Sequence, residues 1–136
     1  MSIQSSIQEP SQRYRVVWRW VVLGGYAACI FALSSIPGQA LHKVQVSDKL
    51  IHIGEYGLLG LLMCRALTAQ LPTWPRLRIT LLGFLLAIFY GATDEFHQLF
   101  VPARSAELAD LAADSVGAAL AVWGWLKVGA YWAWLR

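Results

Sequence analysis

The stretch from Leu77 to Pro102, LRITLLGFLLAIFYGATDEFHQLFVP, decides the fold. Between Ile79 and Thr93 no residue is charged. That run exceeds the usual strand of roughly 3–10 residues and, with its flanks, supplies the roughly 20 mostly apolar residues of a membrane-crossing helix. It then meets Asp94-Glu95 and is stopped by Pro102. The pattern is an apolar span carrying acids at one end. Three further blocks have the same length. One runs from about Val16 to Ile36, ahead of the Pro37-Gly38 breaker pair. Another runs from about Asp48 or Lys49 to Leu71, ended by Pro72 and Pro75. The last starts between Ser105 and Leu108 and reaches at least Leu126. The expectation is an all-α polytopic membrane bundle of about four transmembrane helices. Residues 1–15 form a polar cytoplasmic tail, 16–128 the membrane domain, and 129–136 an interfacial aromatic tail.

Composition agrees with this reading. Of the 136 residues, 57% are hydrophobic and 14% charged, against roughly 25% charged in soluble domains. Four spans and their links use the whole sequence, leaving no room for a nucleotide-binding fold. The net charge of +3 is no nucleic-acid footprint, because the bases flank apolar blocks, where they mark topology. Cys29 and Cys64 sit in separate blocks without a second sulfur nearby and read as apolar filler. Arg13, Arg15 and Arg19 before the first block, with Gly38-Gln39-Ala40 after it, imitate a signal peptide. The length of the block and Pro37 beside the would-be cut favour a retained helix.

Basic residues orient the bundle, since cytoplasmic loops carry the excess of Lys and Arg. Arg13, Arg15, Arg19, Arg65, Arg76, Arg78, Lys127 and Arg136 fall to one side, against Lys43, Lys49 and Arg104 on the other. All seven tryptophans fall with the larger group, as interfacial anchors do. Both termini are therefore expected in the cytoplasm.

The acids occupy the opposite end. Of the eight, only Glu9 lies elsewhere; Asp48, Glu55, Asp94, Glu95, Glu107, Asp110 and Asp114 gather at the outer ends of three helices. An ionisable group inside a membrane costs about 3 kcal/mol on insertion scales, so such a cluster marks a functional site by default. Asp48, His52 and Glu55-Tyr56 share one helical face, as do Gly91, Asp94-Glu95 and Gln98. On the last helix Asp110 and Asp114 continue into Gly117 and Ala121, and Ala113, Gly117 and Ala121 provide the small-residue spacing that lets helices approach. Seven acids against Lys43, Lys49 and Arg104 need neutralising by protonation, water or a divalent cation. The candidate catalytic residues are His52, Asp94 and Asp110. The candidate metal ligands are Asp94, Glu95 and Asp110. Lys49, Glu55, Tyr56, Glu95, His97, Gln98, Arg104 and Asp114 are candidate ligand-binding residues. Within that set Lys49 also reads as a snorkelling residue, Tyr56 as packing, and His97 as offset toward solvent or head groups. Arg104 serves equally to hold phosphate or to neutralise Asp94 and Asp110.

Several motifs resemble one family in order: Ser34-Ser35-Ile36-Pro37-Gly38; Asp48-Lys49-Leu50-Ile51-His52-Ile53-Gly54-Glu55-Tyr56; and Asp94-Glu95-Phe96-His97-Gln98 followed by Pro102, Arg104, Asp110 and Gly117. Over about residues 20–125 the chain resembles the VanZ-like proteins, small membrane proteins named for one associated with teicoplanin resistance. Ala103 stands where that family often has Gly. Asp114 stands where it commonly has Asn, which implies that hydrogen bonding suffices there. The resemblance implies a multi-pass cell-membrane protein linked to glycopeptide resistance.

Three functional classes follow. The first binds or modifies a lipid-linked envelope component, with membrane lipids and such a precursor as partners. The second is a non-enzymatic accessory or binding protein, favoured by the lack of a G-x-S-x-G or H-E-x-x-H pattern, with Ser105 the one outer hydroxyl available as a nucleophile. The third, a small ion- or proton-coupled transporter, is opposed by the absence of a relay in the inner half. The topology is checked by thiol labelling. In a variant without Cys29 and Cys64, cysteines at Gln39 or Ala103 label with an impermeant reagent in intact cells and one at Thr73 does not; the reverse pattern overturns the orientation.

Overall fold

The computed structural model describes residues 8–41 and 47–134, and the side chains of 13–39 and 47–128. Among the described residues five helices follow one another: α1 (Gln8–Ser34), a short α2 (Gly38–Leu41), α3 (Asp48–Gln70), α4 (Arg76–Gln98) and α5 (Leu108–Trp134). Four are long and apolar enough to cross a membrane, over Arg13–Ser34, Asp48–Gln70, Arg76–Gln98 and Leu108–Val128. The fold is an all-α bundle of four such helices, as the block lengths predict.

The differences lie at the ends. α1 is already helical at Gln8, the first described residue, well before Val16. The polar segment expected as a tail is thus partly helical. α5 continues through Trp134 rather than breaking before the aromatic tail. α2 was not expected. Residues 1–7, Lys43 and the side chains of Trp132 and Trp134 lie outside the described residues.

α3 is the hub. It packs on α1, α4 and α5, with its closest partner in α5, whereas among the described residues α1 also touches α4 but not α5. The buried centre is Leu23 and Ile30 of α1, Tyr56, Leu59 and Ala66 of α3, Ala87 of α4 and Ala118 of α5. Two tyrosines tie α1 down: Tyr26 donates its hydroxyl to the Glu55 carbonyl (3.1 Å), and Tyr90 donates to the Ala27 carbonyl (2.6 Å). Thr68, Thr80 and Ser115 donate to carbonyls four residues back in their own helices, which satisfies a hydroxyl where water is absent.

Two glycines set the spacing. Gly117 of α5 lies directly against the Ile53 carbonyl of α3, so a Cβ there has no room. At the end of α1, the Gly38 amide donates to the Pro102 carbonyl (3.1 Å), and a Cβ on Gly38 would strike the Ala103 carbonyl. Ala103 itself has φ 57, a left-handed conformation costing a non-glycine residue about 1–2 kcal/mol. The turn between α4 and α5 is thereby stitched to the exit from α1, and the strain falls where the VanZ-like family often has Gly.

At the opposite end Arg19 donates Nη1 to the Arg65 carbonyl (3.3 Å), Arg76 stacks over Trp125 (5.1 Å) and Lys127 over Trp123 (5.6 Å). Most arginines thus share one end of the bundle with these tryptophans, and every acid but Glu9 lies toward the other. In detergent, Ala103→Gly raises unfolding stability by about 1 kcal/mol through relief of the left-handed strain. Gly117→Ala lowers it by about 1–3 kcal/mol, since α3 and α5 must part; thermal melts measure both.

Candidate functional site

The acidic ends of α3, α4 and α5 surround a cavity of about 490 Å³, closed on the remaining side by the end of α1. His52, Asp94 and Asp110, one from each of α3, α4 and α5, all line it. Helical spacing accounts for this: Asp48, His52 and Glu55 present one face of α3, and Asp94 and Gln98 one face of α4. Across the cavity Ile30, Leu33 and Ile36 of α1 supply an apolar wall.

His52 is held from behind. Its Nδ1 lies 2.8 Å from Asp114 Oδ1; with the carboxylate accepting, Nδ1 carries a proton. Nε2 is 4.0 Å from Asp110 Oδ2. The other oxygen of Asp110 accepts from Lys49, which also reaches Glu107 Oε2 at 3.1 Å. Lys49 therefore bridges α3 to the start of α5 as an ion-pair partner, not as a snorkelling side chain. Glu95 Oε2 accepts from the Glu107 amide (2.8 Å) just ahead of α5, so it caps that helix from α4.

Other expected residues fall into place differently. Gln98 donates to Asp94 Oδ2 at 3.4 Å, a long bond inside its own helix. Tyr56 is 1% exposed and stacks parallel to the His52 ring at 6.4 Å. Its role is packing, and its hydroxyl has no hydrogen-bond partner. His97 is half-buried. Its Nε2 is 3.0 Å from Ser35 Oγ and its ring rests on Phe31. Because the Ser35 hydroxyl already donates to the Phe31 carbonyl (2.7 Å), His97 is the donor in this pair and latches α1 to α4. Arg104 donates Nε to the Ile36 carbonyl (3.3 Å) and lines the cavity. Among the described residues it makes no ion pair with Asp94 or Asp110; Lys49 neutralises Asp110 instead.

Several buried acceptors are unsatisfied. Among the described residues Asp94 Oδ1, Glu95 Oε1 and Asp114 Oδ2 have no hydrogen-bond partner, and Asp94 is 5% exposed. Two sets of donors each converge within 4.8 Å: Asp48, His52 and Asp110, and His52, Glu95 and Asp114. The expected metal trio of Asp94, Glu95 and Asp110 is not one of them. It omitted His52 and Asp48, because counting charge along the sequence favours acids over the imidazole between them.

The whole arrangement coincides with the motif positions: the Ser34–Gly38 exit, the Asp48–Tyr56 face, the Asp94–Gln98 run, Arg104 and Asp110 all border one cavity or its rim. The family model of VanZ/LLP1 matches residues 4–130. The chain belongs to the VanZ/LLP1 family. No curated protein and no solved structure matches it. With this match and four apolar helices, it is a VanZ-like multi-pass membrane protein.

The bond from His52 to Asp114 gives this VanZ-family protein a direct check. Asp114→Asn keeps an oxygen acceptor for Nδ1–H and stays near wild-type stability. Asp114→Ala leaves a buried imidazole donor unpaired and costs about 1–3 kcal/mol. Denaturant unfolding in detergent compares them; equal losses would show that the bond does not hold His52.

Proposed function

We propose that this VanZ-family protein captures a lipid-linked, anionic cell-envelope component in the cavity, at the outer face of the cell membrane with both termini in the cytoplasm. The observation that carries the reading is the two-sided lining. Ile30, Leu33 and Ile36 form one wall, and the charged ends of α3, α4 and the α4–α5 turn form the other. A lipid lying along α1 keeps its chain against apolar side chains while its head enters the polar half. The size suits such a head, since ligand sites commonly measure about 300–1,000 Å³.

Arg104 supplies the complementary charge. Its guanidinium is free of carboxylate partners among the described residues, and arginine offers the planar fork that phosphate oxygens accept. The outer placement is supported by the tryptophans and most arginines lying at the far end. Binding without covalent chemistry is the form of the reading that the hydroxyls favour. Ser105 lines the cavity but makes no hydrogen bond to His52 among the described residues, and the Ser35 proton is engaged by the Phe31 carbonyl. A link to glycopeptide resistance follows on this reading if the captured component belongs to the target of those antibiotics.

The test uses purified protein, a polyprenyl phosphate and the matching polyprenol without phosphate. The phosphate lipid binds and the alcohol binds at least about 10-fold more weakly. Arg104→Ala removes the difference, the equivalent of about 1.4 kcal/mol for each factor of ten. Equal binding of both lipids, or none by either, overturns the proposal.

A further inference from the structure

We propose that the cavity holds one divalent transition-metal ion of the zinc class, ligated by His52 Nε2, Asp110 Oδ2 and Asp48. Asp114 acts behind His52 as a positioning residue. This deepens the reading of the cavity as a ligand site and rests on it only for the ion's role, which is to carry the anionic head beside the acids. Ion binding is measured with metal alone, so the two readings fail separately.

The donor set comes from spacing and from the bundle together. Asp48 and His52 are four residues apart on α3 and so present one face, and α5 brings Asp110 to it; all three donors lie within 4.8 Å of one another. The separation of His52 Nε2 from Asp110 Oδ2, 4.0 Å, is too long for a hydrogen bond. Two bonds of about 2.1 Å meeting at a tetrahedral ion span about 3.4 Å, so the pair closes by roughly half an ångström on the ion. With Asp114 accepting from Nδ1–H, Nε2 is the nitrogen that a metal ion would take in place of a proton. A carboxylate behind a ligating histidine is the usual way a protein sets tautomer and ring orientation at a metal.

A second, independent observation points to an occupant. Asp94 lines the same cavity, is 5% exposed, and its Oδ1 has no partner. A buried carboxylate oxygen without a donor calls for a partner from the cavity side, and a bound cation or its water supplies one. Lys49 does not fill that need, because it is committed to Asp110 Oδ1 and Glu107. It leaves Oδ2 of Asp110 for the ion. One imidazole with carboxylates suits zinc or manganese, whereas calcium and magnesium take all-oxygen shells. The alternative set of His52, Glu95 and Asp114 competes poorly. Its imidazole donor toward Asp114 is the nitrogen already bonded there, and neither Glu95 nor Asp114 lines the cavity through which an ion would enter.

Such an ion gives the acidic half of the cavity a use for an anionic head, since a bridging metal converts carboxylate repulsion into attraction.

The test is titration of chelator-stripped, purified protein with zinc, manganese and calcium by calorimetry, with cobalt absorption as the spectroscopic signature of a nitrogen-containing shell. Wild type binds one zinc, and calcium at least about 100-fold more weakly. His52→Ala and Asp110→Asn each weaken zinc by at least about 100-fold. Asp114→Ala weakens it about 10–100-fold, the range for a residue that orients a ligand, and Asp114→Asn largely restores it. Asp48 is exposed, so Asp48→Asn folds and still loses affinity, and Glu95→Gln keeps it. No zinc binding by folded wild type, unchanged affinity in Asp48→Asn, loss in Glu95→Gln, or a cobalt spectrum identical in His52→Ala would each overturn the assignment.

Discussion

The contact on which everything else depends is backbone on backbone: Gly117 of α5 against the Ile53 carbonyl of α3, with Gly60 further along the same seam, where a Cβ would lie 3.4 Å from the Ala118 Cα. In a membrane, apolar side chains gain little by leaving lipid for one another, so helices associate through close packing and polar contacts. Small residues bring α3 and α5 near enough for short side chains to meet. Only at that separation can Asp114 reach His52, and can Asp110 lie between His52 and Lys49.

The site is therefore a consequence of the seam. The same α5 helix carries its acids at the end where the chain enters from the α4–α5 turn and its small residues one and two turns deeper. Polar groups that are expensive in lipid are placed where a neighbouring helix supplies their partners. The turn is fixed in its own right. Gly38 and Arg104 bond it to the exit from α1, and Ala103 is held left-handed between them. α1 contributes differently, since two tyrosine hydroxyls and the Ser35–His97 latch hold it. Its end faces the acids with aliphatic side chains, which makes the cavity amphipathic.

Charge is distributed to match. Lys49 answers Asp110 and Glu107 at the rim, the Glu107 amide answers Glu95, and His52 answers Asp114 in the interior. Arg104 remains turned to the cavity without a carboxylate partner, and Asp94 retains an oxygen without a donor. Among the described residues the cavity thus keeps an unpaired guanidinium at Arg104 and buried oxygens without a donor at Asp94 and Ser34.

Much of this was legible in the sequence because a bilayer imposes length. Apolar blocks of about 20 residues separated by Pro and Gly allow little besides spanning helices, and the four spans fall where the blocks do. The gathering of acids at one end, and the faces shared by Asp48, His52 and Glu55 and by Asp94 and Gln98, follow from helical periodicity alone. Sequence also marked the strain at Ala103, through a resemblance to proteins that often have Gly there. Tertiary structure decided the partners. Which acid stands behind His52, that Lys49 is an ion-pair bridge, that Glu95 caps α5, and that His97 latches α1 all depend on the rotation and depth of one helix against another. Periodicity fixes a face but not what it meets. The depth at which two helices touch is set by atoms as small as a missing Cβ at Gly117, which no pattern of apolar and charged residues encodes.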